Sequence, residues 1–412
     1  MKSIRPSRIS GEIEAPPSKS MMQRALIASA LAEGESEIEN PSYCTDSVAT
    51  MGVIETLGAQ VMRGPDSVIV LGKGEPRGKD LDCGESGTCI RMITPVAALF
   101  DHDFSINGKG TLKKRPLGMV EEPLRILGAR CSTRGGLTPI KVKGPIHGGK
   151  IEIDGSETSQ FLSGLLMALP LCDDDSEILV RNLKSRQYVD MTISVLKAFG
   201  VAVETDGADR FMIKGRQGYR ACRYLVEGDW SGAAFLLVAG AIAGDVTVRN
   251  LGSAVQPDRA IVDVLIQAGA KVKSDNGVVH VEQANLKAFE YDANGTPDLF
   301  PSLAVLACSC EGRSVIHGVG RLRGKESDRA AALSFELGRI GARIRIEGDS
   351  MVVEGSRLYG GHIDPRGDHR IAMAAAIAAL TSGGEVEIEK EGCVAKSYPD
   401  FFRDLASLIV ER

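Results

Sequence analysis

Lysine, arginine and small hydroxyl side chains recur in this chain where helices would open. Lys19, Ser20 and Arg24 stand at one such opening, Thr88 and Arg91 at the next, and Thr158, Ser159 and Gln160 at a third. Asp298 opens a fifth, and Asp368, His369 and Arg370 a sixth. Outside these openings lie Arg115 in KKRPLG, Lys325 to Arg329 in KESDR, and Lys396 in CVAKSYPD. A helix N-terminus presents free backbone N–H groups and the positive end of a dipole, so it binds anions. A cation placed there opposes the dipole unless an anion supplies the compensating charge. One such Lys or Arg is ordinarily a solvated surface charge. Lys19 and Arg370 at equivalent places of a repeated pattern, in a chain of net charge −5, point instead to an anionic ligand.

The rest of the composition narrows the class. The 412 residues, with 43% hydrophobic and 25% charged side chains, fit a globular protein long enough for two domains. An acidic balance and few aromatics argue against nucleic acid as a partner, which needs a broad basic surface. The nine cysteines show no CxxC and read as reduced, small apolar core residues. The six histidines have no HExxH-like spacing, so no metal is expected. The N-terminus lacks an apolar signal segment, and no apolar run approaches a membrane span. A cytoplasmic protein without a membrane partner is expected.

The elements that would position the cations come from internal repetition. A helix that ends in Gly and leads at once into a strand recurs at Gly58, Gly128, Gly200, Gly269 and Gly341, about 70 residues apart. Gly there fits a C′ residue with φ above zero. Asp46, Asp190, Asp258 and Asp328 lie upstream of four of these stops, where a helix wants an N-cap acceptor. A second phrase, a small-residue apolar helix, begins near Ser20, Gly87, Ser159, Ser231, Asp298 and Asp368. Runs such as DSVIVLG, TPIKVKG, DRFMIKG, GVVHVEQ and DSMVVEG read as hairpin strands. Six β-α-β-α-β-β units follow, three to a domain. The last unit lacks a final strand, for which the segment IRPSRISGEIEAP is the source. The expected division is residues 1–15 with 228–412, and an inserted domain of 16–227.

The chain also contains, in this order, APPSKSMMQRAL, GESGTCIR, KKRPLG, TSQFLSGLLM, SRQYVDMT, VEGDWSGA, GTPDLFPSLAVLA, GKESDR, GDHRIAMA and AKSYPDFF. This series resembles the enolpyruvyl transferase family over essentially the whole chain, on the branch that uses shikimate 3-phosphate. The resemblance implies an α/β fold of two domains. Each would hold three βαβαββ units about a pseudo-three-fold axis, an inside-out α/β barrel, with the active site in the interdomain cleft. It implies transfer of enolpyruvyl from phosphoenolpyruvate to the 5-hydroxyl of shikimate 3-phosphate through a tetrahedral intermediate, with no cofactor. Shikimate 3-phosphate would meet Lys19, Ser20, Arg24, Thr158, Ser159, Gln160, Ser185, Tyr188, Asp298 and Lys325. Phosphoenolpyruvate would meet Lys19, Gly87, Arg115, Gln160, Arg329, Arg370 and Lys396. Asp298 is the candidate base, and Lys19 and Glu326 are candidates for moving the proton at C3.

Departures matter too. Glu85 stands where many members have Asn, and is expected to point away from the anion or pair with a cation. Arg321 replaces an Asn of some members near the shikimate phosphate. Gly87 leaves room beside phosphoenolpyruvate, which implies sensitivity to glyphosate. The sister enzyme acting on UDP-N-acetylglucosamine usually carries a Cys in the loop before the arginine matching Arg115, and NGKGTLKKRP has none. An RNA-binding protein built on a related unit is disfavoured by the acidic balance and the lack of aromatic platforms. A non-catalytic anion-binding relative is disfavoured by the intact Lys19, Asp298 and Glu326. A monomer is expected.

Overall fold

The computed structural model describes residues 1–252 and 255–410. The chain divides into two compact units, Met1–Pro16 with Glu227–Arg412, and Pro17–Val226.

In the Pro17–Val226 unit the helices are α1 (Lys19–Leu31), α2 (Thr45–Thr56), α3 (Gly87–Ala97), α4 (Glu121–Ile126), α5 (Gln160–Ala168) and α6 (Arg186–Ala198). The other unit holds α7 (Trp230–Ala243), α8 (Ile261–Gln267), α9 (Phe300–Cys308), α10 (Arg329–Arg339), α11 (His369–Ala379) and α12 (Phe401–Ser407). The odd-numbered helices are the small-residue ones. Every residue of α7, α9 and α11 is buried, as expected of a helix apolar all round. Small residues let these helices approach closely. A Cβ added at Gly164 of α5 would lie 2.5 Å from the Met92 carbonyl oxygen of α3.

Polar caps open four of the buried helices. Ser18 accepts from Met21 N, Ser86 from Cys89 N, Asp229 from Ser231 N and Gly232 N, and Asp368 from Arg370 N. Five even-numbered helices stop at the expected glycines. Gly58, Gly128, Gly200, Gly269 and Gly341 have φ of 113°, 102°, 81°, 89° and 100°. The upstream aspartates behave differently. Only Asp328 caps its helix, accepting from Ala331 N. Helix α2 starts after Cys44, which leaves Asp46 inside its first turn. Helix α6 starts after Ser185, so Asp190 lies a turn further in and accepts from Arg186 Nε at 2.8 Å. Asp258 sits in a 3₁₀ turn, Pro257–Ala260, ahead of α8.

Five of the sheets repeat one plan. In the Pro17–Val226 unit, a leading strand lies parallel to a second, which pairs antiparallel with a hairpin. Asp80–Asp82 pairs this way with Phe104–Asn107, followed by Leu137–Lys143 and Arg130–Arg134. Lys150–Asp154 likewise leads Ser176–Arg181, Arg210–Ile213 and Glu204–Asp206. The first sheet takes its leading strand from the far end of the unit, where Arg223–Leu225 runs parallel to Glu35–Glu39. The N-terminus does double duty in the other unit. Lys2–Ile4 completes the sixth sheet, antiparallel to Val386–Ile388, and Arg8–Glu14 leads the fourth, parallel to Gly244–Arg249. The repeat spacing pointed to residues 4–16 as the source of the missing strand of the sixth unit; Lys2–Ile4 fills that place, and most of the expected segment leads the fourth sheet instead. Among the described residues, no helix is long and apolar enough to cross a membrane.

Candidate active site

In the unit containing both termini, a cluster of charges gathers where α9, α10 and α11 begin. Asp298 lies in the 3₁₀ turn Pro297–Leu299 just before α9, Lys325 and Glu326 in the bend before α10, and Arg329 at the first residue of α10. Arg329 is wholly buried, and carboxylates surround its guanidinium. Its Nε donates to Asp368 Oδ2 at 2.9 Å, Nη1 to Asp298 Oδ1 at 3.0 Å, and Nη2 to Glu326 Oε2 at 2.6 Å. Burial works against its charge, yet Asp368, Glu326 and Asp298 hold its pKa above the ordinary guanidinium range. Arg370 donates to Ser231 Oγ at 2.6 Å and lies 3.2 Å from Asp298 Oδ2. Lys325 Nζ is 3.3 Å from Asp298 Oδ1, and Lys396 Nζ is 3.9 Å from Glu326 Oε1.

Three carboxylates (Asp298, Glu326, Asp368) therefore stand among four cations (Lys325, Arg329, Arg370, Lys396). Burial raises the pKa of Asp298, but Arg370, Lys325 and Arg329 more than offset it and hold the carboxyl well below its usual range. Burial brings Lys325 down to about 8 despite the nearby Asp298. Glu326, Asp368 and His369 offer ligand atoms within 4.8 Å of one another. The Arg329 guanidinium already bridges the two carboxylates, so the cation serving that cluster is part of the chain.

The Pro17–Val226 unit holds a second cluster at the openings of α1, α3, α5 and α6. Lys19 Nζ is 3.1 Å from Asp46 Oδ2, both nearly buried. Gln23, one turn along α1, donates to Thr50 Oγ1 at 2.9 Å and to the cap residue Ser86 at 2.7 Å. Arg24 is 1% exposed, and its partners among the described residues are neutral. They are Thr192 Oγ1 at 2.8 Å and the carbonyl oxygens of Ser20 and Tyr188 at 2.8 and 3.3 Å. Burial lowers its pKa to about 10. A buried guanidinium without a carboxylate is costly unless an anion completes it. Ser185 occupies the position before α6 in the left-handed region, at φ 55°, a strained backbone of the kind stored at binding sites.

Arg91 donates to Gln160 Oε1 at 2.9 Å, and Gln160 Nε2 donates to Thr88 at 2.8 Å. Thr158 Oγ1 accepts from Gln160 N at 3.1 Å, and Ser159 is the buried N-cap of α5. The open side of Gly87 is not vacant as expected. The Arg115 guanidinium lies against it, 2.5 Å from where a Cβ would stand. Glu85 turns toward the turn Gly110–Lys114, accepting from Thr111 N and Oγ1 at 3.2 and 2.9 Å. Arg321 lies in the 3₁₀ turn Val319–Leu322, and its charge helps lower the Lys325 pKa.

Each unit thus gathers its own share of the candidate residues. Lys19, Ser20, Arg24, Gly87, Arg115, Thr158, Ser159, Gln160, Ser185 and Tyr188 belong to one, and Asp298, Lys325, Glu326, Arg329, Arg370 and Lys396 to the other. Several residues that hold them were not singled out by the sequence: Asp46 as a lysine partner, Thr192 and Ser231. Ser231 was within reach, since it opens its helix where Ser20 and Ser159 open theirs. Thr192 carries no such signal, because its partner Arg24 is far away in the chain.

The family model described as EPSP synthase (3-phosphoshikimate 1-carboxyvinyltransferase) matches residues 4–405. A 3-phosphoshikimate 1-carboxyvinyltransferase of Methanosarcina mazei is 42% identical, with 98% of this chain and 97% of the relative covered. Its namesake from Thermococcus kodakarensis is 41% identical over 98% and 99% of the two chains. Among solved structures, EPSP synthase from Acinetobacter baumannii aligns with a TM-score of 0.85 at 27% identity, covering 99% of this chain and 98% of that one. The enolpyruvyl transferase NikO from Streptomyces tendae shares the fold, with a TM-score of 0.80 at 17% identity over 98% and 96%.

Proposed function

The chain belongs to the EPSP synthase family, and we propose that the two clusters divide the work of that family's reaction between them. The chain transfers the enolpyruvyl group of phosphoenolpyruvate to the 5-hydroxyl of shikimate 3-phosphate and releases inorganic phosphate. The acceptor oxygen bonds to C2 while C3 gains a proton, giving a tetrahedral intermediate. Loss of that proton from C3 and cleavage of the C2–O bond to phosphate then restore the double bond.

Arg24 is the observation that carries the residue assignment. Its buried, uncompensated guanidinium suits the phosphate of shikimate 3-phosphate. Ser20, Thr158, Ser159, Ser185 and Lys325 add donors to that phosphate and its ring, and Tyr188 and Gln160 contact the ring. Phosphoenolpyruvate takes Lys19, Arg115, Gln160, Arg370 and Lys396, with the backbone at Gly87; arginine suits carboxylate and phosphate through its planar fork. Arg329 is already saturated by carboxylates, so its share of the substrate comes by exchange with one of them.

Asp298 acts as base toward the 5-hydroxyl. In the resting cluster it is ionised but held by cations, which makes it a weak base. An arriving phosphoenolpyruvate that draws Arg370 and Arg329 onto its own charges loosens that grip and raises the basicity of Asp298 when it is needed. Glu326 and Lys19 move the proton at C3. The cations also stabilise charge on the departing phosphate. We read the protein as a cytoplasmic monomer.

The test is phosphate release from phosphoenolpyruvate with shikimate 3-phosphate or UDP-N-acetylglucosamine as acceptor. Release with shikimate 3-phosphate alone is expected. Release with the nucleotide sugar alone would overturn the reading.

A further inference from the structure

We propose that Glu85 is a positioning residue that fixes where Arg115 presents its guanidinium, and so sets the affinity for phosphoenolpyruvate. The inference rests on the assignment of Arg115 to that substrate.

Two stretches of chain run alongside each other, extending the parallel pairing of Asp80–Asp82 with Phe104–Asn107, and beyond it they meet at Gly84, Glu85 and Gly87. Lys109 N donates to the Gly84 carbonyl oxygen at 2.6 Å. The Glu85 carboxylate accepts from Thr111 N at 3.2 Å and Thr111 Oγ1 at 2.9 Å. Arg115 then lies against Gly87, its Nη1 2.5 Å from where a Cβ would be. Between the last two meeting points the chain forms one short 3₁₀ turn, Gly110–Lys114, which Arg115 ends by donating its N–H to the Leu112 carbonyl oxygen at 3.1 Å. A turn this short transmits the position of its first residue to its last. The anchor also meets the backbone directly, since a Cβ on Gly110 (φ 48°) would overlap Glu85 Oε1. Glu85 is where this chain departs from the Asn that the family resemblance leads one to expect. Its extra methylene carries the carboxylate to the turn, and the bonds it accepts there are charge-assisted.

Losing two such hydrogen bonds should raise KM for phosphoenolpyruvate about ten-fold in Glu85→Ala. The KM for shikimate 3-phosphate should stay unchanged and kcat should stay within about two-fold. Glu85→Gln keeps an acceptor for Thr111 and should restore KM to within about three-fold of wild type. Gly110→Ala, which displaces the carboxylate while leaving Glu85 in place, should show the same split. It serves as the probe if Glu85→Ala does not fold. Arg115→Ala is the control. If Arg115→Ala raises KM for phosphoenolpyruvate and neither Glu85→Ala nor Gly110→Ala does, the inference falls while the assignment of Arg115 stands. If Arg115→Ala leaves that KM unchanged, the assignment fails and the inference with it. An equal rise in both KM values, unrepaired by Glu85→Gln, would mark Glu85 as merely structural and also overturn the inference.

Discussion

Arg24 and Lys325 are cations that the fold makes uncomfortable, in two different ways. Arg24 is enclosed with neutral partners and its pKa is lowered to about 10 by burial, so its charge costs the empty protein stability. Arg24→Met keeps the bulk and removes the charge. Its urea midpoint should be no lower than that of wild type, while KM for shikimate 3-phosphate should rise at least about 100-fold through lost charge-assisted bonds. A lower midpoint with KM intact would make Arg24 a structural residue. Lys325 is brought by burial from 10.5 to about 8. Its ammonium is present below that pH and lost above it, so kcat/KM for shikimate 3-phosphate should fall as pH rises through about 8. Lys325→Arg should remove that limb. The stability sign is opposite. Between about 8 and 10.5 the unfolded chain holds a proton at Lys325 that the folded one has released, so this residue's contribution to stability rises with pH there.

At the level of helices and turns, the glycine stops were legible because their cause is local: a φ near 100° is a demand on one residue. They should not be equally sensitive. Ala at Gly200 has to adopt a positive φ, a cost of about 1–2 kcal/mol, but its Cβ meets only the flexible Arg220 side chain, 3.2 Å away. Ala at Gly58 pays the same strain, and its Cβ would also overlap the Gly74 backbone. Gly58→Ala should therefore lower unfolding free energy by at least about 1 kcal/mol more than Gly200→Ala in urea titrations. Equal losses would mean that the turn at Gly74 yields freely. The buried small-residue helices were legible for the same local reason, since their composition alone says that no face is wetted. Asp328 caps its helix as read, but the other three aspartates were misread because a carboxylate's partner is chosen by tertiary structure. Asp46 looks like a cap in one dimension, yet it serves Lys19 across the cluster. The occupied space at Gly87 was invisible in the same way, since Arg115 reaches it from the end of the turn Gly110–Lys114, far along the chain.

At the scale of the chain, six β-α-β-α-β-β repeats were visible in spacing, but the pairing that closes them was only partly so. The fourth and sixth sheets both draw on the first fourteen residues, and the first draws on residues 223–225. These loans stay within each compact unit, which makes the units separable in a specific way. Pro17–Val226 is contiguous and contains the strand Arg223–Leu225 that its first sheet needs. Expressed alone, it should unfold cooperatively in urea, and shikimate 3-phosphate should raise its melting temperature through Arg24. Residues 227–412 alone lack the strand Arg8–Glu14, which in the whole chain lies between Gly244–Arg249 and Ile409–Val410. Without it an interior strand becomes an open edge, and that fragment should aggregate or unfold without a cooperative transition. The remedy follows from the pairing of Val410 with Arg8, which brings the chain's end beside its start. Joining residues 1–16 after 412 through a short Gly-Ser linker should restore a cooperative transition. If residues 227–412 unfold as sharply without the added segment as with it, the N-terminal strands are not what holds that unit together.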